Sequence, residues 1–329
     1  MTNKKTKRAN YALWLVLGLA VYILSSPNAM VAKILFDNEW LDTFSYSVIR
    51  YSVMILFTLP VAVYGVFKNR KAVAKHWRSA VFAGVCLSLS GVAYTLAIEL
   101  GKASHVNIIN LLTPIVLVVL SAKIIHDKVS HRATIGITLA AIGGVLVVAT
   151  PMIISGAIES SVSPASVALS VFNAIIFPFS MVYMRRANEA GVPLALMLTI
   201  SCSCTILIAL VLEPIMYGRT VLDSVVHLTA WEWFVMVAYI GIFVALIVRV
   251  VSVKAYEAVG SAVAGGFEYL HTLLAIILPI IVLHETLAPE ILAGALLILI
   301  GIYLTESHHH MNSHVHLVSH HTRRKTRRQ

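Results

Sequence analysis

Ten runs of mostly apolar residues dominate the sequence and constrain its fold more than any other feature. A helix that crosses the hydrocarbon core of a bilayer needs about 20 such residues. Lipid offers the backbone no hydrogen-bond partner, and none of the runs alternates as a membrane strand would, so each run predicts a helix. The runs are residues 11–31, 44–66, 80–98, 104–125, 133–154, 164–184, 193–216, 230–251, 258–283 and 290–304. The sequence therefore predicts an all-α integral membrane protein with ten transmembrane helices.

The charge content supports a membrane protein and argues against a nucleic-acid partner. Only 12% of the residues are charged, whereas a soluble domain has about 25%. The net charge of +10 comes from short basic blocks between the apolar runs, not from one continuous basic face. We expect membrane lipid to be the partner of these blocks.

The positions of the basic residues predict the orientation. If residues 1–10 lie in the cytoplasm, nearly all of the 25 Lys and Arg residues fall on cytoplasmic segments, as the positive-inside rule requires. The first apolar run is too long for a cleaved signal peptide and lacks a convincing small-x-small site, so we interpret it as a signal anchor. The prediction is a multi-pass protein of the inner (plasma) membrane with both termini in the cytoplasm.

The second half of the chain repeats the first. At one register the two halves match in a His-acid pair, in two glycines and in flanking residues. The matches include His126-Asp127 with His284-Glu285, Gly136 with Gly294, Gly143 with Gly301, and Asn110 with Glu268. Each half holds five runs, and an odd number inverts the second half relative to the first, which is a transporter architecture.

The repeat divides the chain into five segments. They are a cytoplasmic N-terminus (1–10), a first five-span repeat (11–154), an extracytoplasmic linker (155–163), a second repeat (164–306) and a cytoplasmic tail (307–329).

Short motifs in both halves point to a known family. The first half carries Arg50 in its second run, Ala97, Ala103-Ser104 and Leu112-x-Pro114 around its fourth, then Asp127, Gly136 and Gly143; the second half carries Ala255, Glu285, Gly294 and Gly301. This pattern resembles the EamA-type repeat of the drug/metabolite transporter superfamily. The resemblance implies a secondary transporter, most often an exporter, of amino acids, nucleosides or amphiphilic drugs. The second half departs from the pattern at His271-Thr272, where the first half has Pro114.

Two ionisable residues interrupt the ninth run. Glu268 lies near its middle and His271 follows at i+3, on the same helical face. Ionisable groups inside a span are costly and are candidates for function. We predict that they bind substrate, with proton coupling as their second role. A protonated Glu268 that only bonds a neighbouring helix is the alternative.

Further polar residues within the runs are candidates for substrate binding. Arg50 is expected to bind a substrate carboxylate or to pair with Glu268, with snorkelling to the interface as the alternative. For the side-chain amides, bonding between helices competes with ligand binding, and for the tyrosines, packing competes with lining a cavity. These candidates are Asn28, Asn107, Asn110, Asn173, Tyr94 and Tyr239. The repeat glycines are expected to allow close helix packing.

The tail after residue 306 holds half of the 14 histidines, so a metal-cation or metal-regulated transporter is the alternative function. No nucleophile–base motif or Gly-rich phosphate loop occurs, and the segment "HETLAPE" lacks the second His of a zinc-protease motif. We therefore expect no enzyme activity and no cofactor or resident metal. The partner is a small-molecule substrate, and the oligomeric state stays open between monomer and homodimer.

Overall fold

A computed structural model describes residues 2–124, 131–154, 163–248, 251, 255, 261–285 and 289–306. Within these ranges every regular element is a helix, which confirms the predicted all-helical class. The His-rich tail, Asp127 and the side chain of Glu268 lie outside the described part of the chain.

The helices follow the predicted apolar runs in chain order, except for a short helix at Val221–Val226, which lies between two runs. They are α1 (Thr2–Ser25), α2 (Asn28–Leu35), α3 (Thr43–Lys68), α4 (Arg70–Leu100), α5 (Ala103–Asn110), α6 (Thr113–Ile124), α7 (His131–Ile154), α8 (Pro164–Glu189), α9 (Leu194–Tyr217), α10 (Val221–Val226), α11 (Ala230–Phe234), α12 (Val235–Val248), α13 (Ser261–Val282) and α14 (Pro289–Glu306). The turns of α12 are π-helical.

Six of the described segments are long and apolar enough to cross a membrane, and they coincide with predicted runs one, two, three, six, seven and eight. Shorter apolar helices fall on the other four runs, at Ala103–Leu117, Thr138–Val147, Leu270–Val282 and Ile291–Gly301. The chain is therefore a multi-pass membrane protein.

The outer surfaces of these helices are apolar as well. On α3, Leu56 is 71% exposed, and on α9, Ile215 is 72% exposed. Large exposed apolar surfaces of this kind require a non-aqueous surrounding. A non-aqueous surrounding explains why apolar residues occur on all sides of these helices and not along one stripe.

The first run is broken at Pro27, between α1 and α2. Proline has no N–H, so the carbonyl of Ile23 loses its helical partner. The hydroxyl of Ser26 donates to that carbonyl at 2.7 Å, and Tyr239 Oη donates to the next one, of Leu24, at 2.9 Å. By contrast, Pro178 lies inside the unbroken helix α8.

The fourth run is broken where the two halves of the chain differ. Helix α5 ends at Asn110, and α6 begins at Thr113, so that Pro114 occupies its first turn, where proline is tolerated. The equivalent position in the second half is Thr272, and α13 runs through it without a break. The position at which the repeat changes from Pro to Thr is thus also a position at which the two halves differ in helix geometry.

Helices α7 and α14 pack against each other through glycines. A side chain on Gly294 would lie 2.8 Å from the carbonyl oxygen of Gly143, and one on Gly301 would collide with the carbonyl of Gly136. The pairing order shows that the two helices are antiparallel. The internal repeat matches Gly136 with Gly294 and Gly143 with Gly301. Replacing each glycine of the Gly143–Gly294 contact by its match gives the Gly136–Gly301 contact, so the two contacts are equivalent. The glycines thus permit close helix packing, as expected from the sequence.

Candidate functional site

Two chains of hydrogen bonds connect α4 and α5 to the second half of the protein. In the first, Tyr94 Oη donates to Asn107 Oδ1 at 3.0 Å, and Asn107 Nδ2 donates to the carbonyl of Ala275 in α13 at 2.8 Å. Asn107 is thus bonded through both ends of its amide. These two bonds join α4, α5 and α13.

The second chain lies one helical turn away. Ser90 Oγ donates to Asn173 Oδ1 at 2.5 Å, and Asn173 Nδ2 donates to Asn110 Oδ1 at 2.7 Å. Ser90 precedes Tyr94 by one turn of α4, and Asn110 follows Asn107 by one turn of α5. The two chains therefore lie side by side and join α4, α5, α8 and α13.

Arg50 lies beside these chains in a group of three tyrosines. Its guanidinium neighbours are Tyr46, Tyr51 and Tyr94, and its central carbon is 5.7 Å from the centroid of the Tyr51 ring. That distance is within the range of a cation–π contact. Tyr51 packs over α4, since a side chain on Gly91 would lie 2.7 Å from the Tyr51 hydroxyl. We call Arg50, Tyr46, Tyr51 and Tyr94 the Arg50 cage.

The polar atoms of the cage are not fully paired. Arg50 Nε and the Tyr46 hydroxyl are buried and have no hydrogen-bond partner among the described residues, although the hydroxyl is close to the guanidinium. Tyr46 is 1% exposed. Arg50 and Tyr94 nevertheless keep part of their side chains accessible, as residues that line an internal cleft do. A buried polar atom without a partner costs about 1–3 kcal/mol.

The remaining candidates take different places. Tyr239 packs, like Tyr94, against the apolar cluster that contains Tyr46, and its hydroxyl bonds to α1. Asn28 begins α2, and its Oδ1 is buried with no hydrogen-bond partner among the residues that the structure describes. His271 is edge-on to Tyr22 of α1, with ring centroids 6.0 Å apart. The structure therefore brings together Arg50 and Tyr94, with Asn107, Asn110 and Asn173 next to them, while His271 contacts a different helix.

Sequence reasoning missed Tyr46, Tyr51 and Ser90. The two tyrosines carried a usable signal, because they lie one turn before and directly after an intramembrane arginine in "YSVIRYS". Ser90 carried none, since serines that bond across apolar helices are common.

A carboxylate from the second half caps the first helix turn of α5. Glu285 accepts hydrogen bonds from the backbone N–H groups of Ala103 and Ser104, each at 2.9 Å, and from the Ser104 hydroxyl. The residue that precedes α5, Lys102, provides no side-chain cap. A remote carboxylate thus satisfies donors that a helix start otherwise leaves open, and it faces the positive end of the helix dipole. We call this contact the Glu285 clamp.

The Glu285 clamp borders a cavity of about 370 Å³ at this end of the protein. Its lining residues are Lys33, Asp37, Leu100, Gly101, Lys102, Leu283 and Glu285. Lys33 Nζ also donates to the carbonyl of Glu99 at 2.9 Å. The cavity wall therefore consists of residues from both halves.

Comparison with protein families decides what kind of protein carries this site. The model of the EamA-like transporter family matches residues 12–149 and 165–307. The chain belongs to the EamA-like transporter family. It is therefore a membrane transporter of small solutes, in a family of transporters rather than enzymes.

Comparison with individual proteins adds the fold alone. No curated protein matches the chain. A solved structure titled "Crystal structure of protein" superposes on this chain with a TM-score of 0.55 and 16% sequence identity. The superposition covers 90% of this chain and 96% of the chain in that structure. This EamA-family chain thus has a fold already seen in a solved structure.

Proposed function

We propose that this protein is a secondary transporter that exports a small organic metabolite by alternating access. The proposal includes ten transmembrane helices in two inverted repeats. The exchangeable glycine contacts of α7 and α14 support it, because an antiparallel pair of equivalent helices is what a two-fold axis between inverted repeats produces. The proposed location is the plasma membrane, with both termini in the cytoplasm.

The observation that carries the proposal is the position of the polar chains between the two halves. The bonds of Asn173 to Asn110 and of Asn107 to Ala275 join helices of different repeats. Polar groups at such an interface are the usual place for a transport site. Relative movement of the halves would open this place alternately to either side of the membrane.

The Glu285 clamp supports the same movement. It joins the end of α13, in the second half, to the start of α5, in the first. We place this end outside the cell, from the distribution of basic residues. When the halves rock and the outer cavity widens, this contact has to break.

Proton coupling is the part of the proposal that rests on Glu268 and His271. A carboxyl group that is protonated on one side of the cycle and ionised on the other would link export to the proton gradient. The substrate classes in view are amino acids, nucleosides and amphiphilic drugs.

The test is flux of representatives of these classes into proteoliposomes that hold the purified protein under an imposed pH gradient. We expect uptake above that of empty vesicles, and we expect Glu268→Gln to abolish its dependence on the gradient. Glu189→Gln, which alters an exposed surface pair with Arg185, is the matched control and should behave as wild type. Wild-type rates and pH dependence in Glu268→Gln would disprove proton coupling, and absence of flux for all three classes would contradict the proposed function.

The metal-related alternative depends on the tail. Among the residues the structure describes, no group of three His, Cys, Asp or Glu side chains is placed to hold a metal ion. Deleting residues 307–329 and measuring flux with and without added zinc decides between the two functions. A metal-regulated transporter would lose its response to zinc.

A further inference from the structure

The Arg50 cage holds a positive charge that the described protein does not balance. Arg50 has three tyrosines around it, but among the described residues no carboxylate pairs with it, and its Nε is buried without a hydrogen-bond partner. A buried charge is expensive unless it is paired and hydrogen-bonded. Phenol rings stabilise the guanidinium only in part, through one cation–π contact.

The polar atoms of the cage match an anion. The Tyr94 hydroxyl donates to Asn107, whereas the Tyr46 hydroxyl and Arg50 Nε are buried without hydrogen-bond partners in the part of the chain that the structure describes. A guanidinium offers parallel N–H donors that fit the two oxygens of a carboxylate. With the Tyr46 hydroxyl as a further donor, the cage supplies three hydrogen-bond donors and one positive charge.

We propose that the Arg50 cage binds the carboxylate of the transported solute, so that the substrate is an organic acid or a zwitterion in ionised form. This assignment rests on the proposed transport function and narrows its substrate class. A single guanidinium balances one negative charge, which favours a carboxylate over a doubly charged phosphate. Cationic drugs would be repelled by Arg50, and neutral nucleosides would leave its charge unpaired.

Each side chain has a defined part in this binding. Arg50 forms the paired hydrogen bonds to the carboxylate, and Tyr46 adds the third. Tyr51 holds the guanidinium by its ring face. Tyr94 is a positioning residue, since its hydroxyl is fixed by Asn107 on α5.

The experiment measures ligand-induced stabilisation of the full-length protein in nanodiscs, at constant ionic strength. The probes are matched pairs of a carboxylate and its neutral amide, benzoate with benzamide and butyrate with butyramide, together with inorganic phosphate. For the wild type we expect the carboxylates to raise the unfolding temperature and the amides and phosphate to leave it unchanged.

The variants test the assigned roles. Arg50→Gln should weaken carboxylate binding about a hundredfold, as loss of one partner of a buried charge pair does. Tyr46→Phe should weaken it about tenfold through loss of one hydrogen bond to a charged group. Arg50→Lys keeps the charge without the paired donors and should show an intermediate loss. Glu189→Gln serves as the surface control.

Three results would overturn the assignment. These are equal stabilisation by carboxylates and amides, stabilisation by phosphate as strong as by carboxylates, and a carboxylate preference that survives Arg50→Gln and Tyr46→Phe. A benzoate preference that vanishes in Glu268→Gln would overturn it as well, because benzoate has no ammonium group for Glu268 to bind.

Failure of this inference differs from failure of the transport function. If vesicles transport only neutral or cationic solutes, and Arg50→Gln leaves their KM unchanged, the carboxylate assignment is wrong and the transporter stands. If carboxylates bind in an Arg50-dependent way but never cross the membrane, the binding site stands and the transport function is wrong.

Discussion

The Glu285 clamp gives the most direct test of how the two halves are held together. One carboxylate accepts three hydrogen bonds from the first turn of α5. Glu285→Gln keeps the size of the side chain but replaces one oxygen with an NH₂ group. That group cannot accept a hydrogen bond from Ala103 or Ser104, whichever of the two it faces, and it meets an N–H donor instead.

The size of the effect follows from these contacts. A hydrogen bond to a charged group contributes about 1.5–3 kcal/mol, and a charge at a helix end contributes about 0.3–1 kcal/mol. Glu285 is only half-buried, so water compensates for part of the loss. We expect a net loss of about 2 kcal/mol, which is about a thirtyfold change in an equilibrium constant.

Hydrogen exchange measured by mass spectrometry should show this change locally. We expect α5 amides to exchange about thirtyfold faster in Glu285→Gln, while α7 and α14, which pack through glycines, stay as they are. Glu285→Asp should lie between the two, because it keeps the charge but has a shorter reach. Glu189→Gln, on an exposed pair worth less than about 1 kcal/mol, should leave α5 unchanged. Unaltered exchange of α5 in Glu285→Gln would refute the clamp.

Three further predictions concern the packing of the helices. Gly143→Val should destabilise the protein by about 1–3 kcal/mol or prevent folding, because the added atoms meet the backbone of Gly294; a wild-type unfolding temperature would contradict the helix contact. Asn173→Leu should cost about 1–2 kcal/mol, measured by thermal unfolding in nanodiscs, since both of its bonds are lost. Ser26→Ala should lower the free energy of unfolding by about 1 kcal/mol in the wild type. In the Pro27→Ala background, where residue 27 regains its N–H, the same change should have almost no effect. Equal losses in both backgrounds would exclude the compensating role of Ser26.

Much of the fold could be predicted from the sequence, because lipid leaves an apolar run few options besides a helix. The breaks were readable only in part. Pro27 and Pro114 mark two of them, but Pro178 lies within a continuous helix. The π-helical turns of α12 have no signal in "VMVAYIGIFVALIV".

The candidate site was less predictable than the fold. Arg50 and the asparagines stand out in a sequence because polar groups in a span are costly. Tyr46 and Tyr51 give a weaker signal, through their places on either side of Arg50, because tyrosine is common in membrane helices and only the folded chain shows which rings reach the guanidinium. The role of Glu285 needed tertiary structure, because the helix it caps lies far away in the chain.

The polar chains divide into bonds that stay within one half and bonds that cross between halves. The Tyr94–Asn107 bond lies within the first half. The bonds that cross are Ser90–Asn173, Asn173–Asn110, Asn107–Ala275 and the Glu285 clamp. If the halves move as units, only the crossing bonds have to break. These bonds therefore contribute to the free-energy difference between the two conformations of the transport cycle. The Arg50 cage, by contrast, is built from α3 and α4 alone. The substrate would therefore remain bound to one half while the other moves, and the crossing bonds would control access to it.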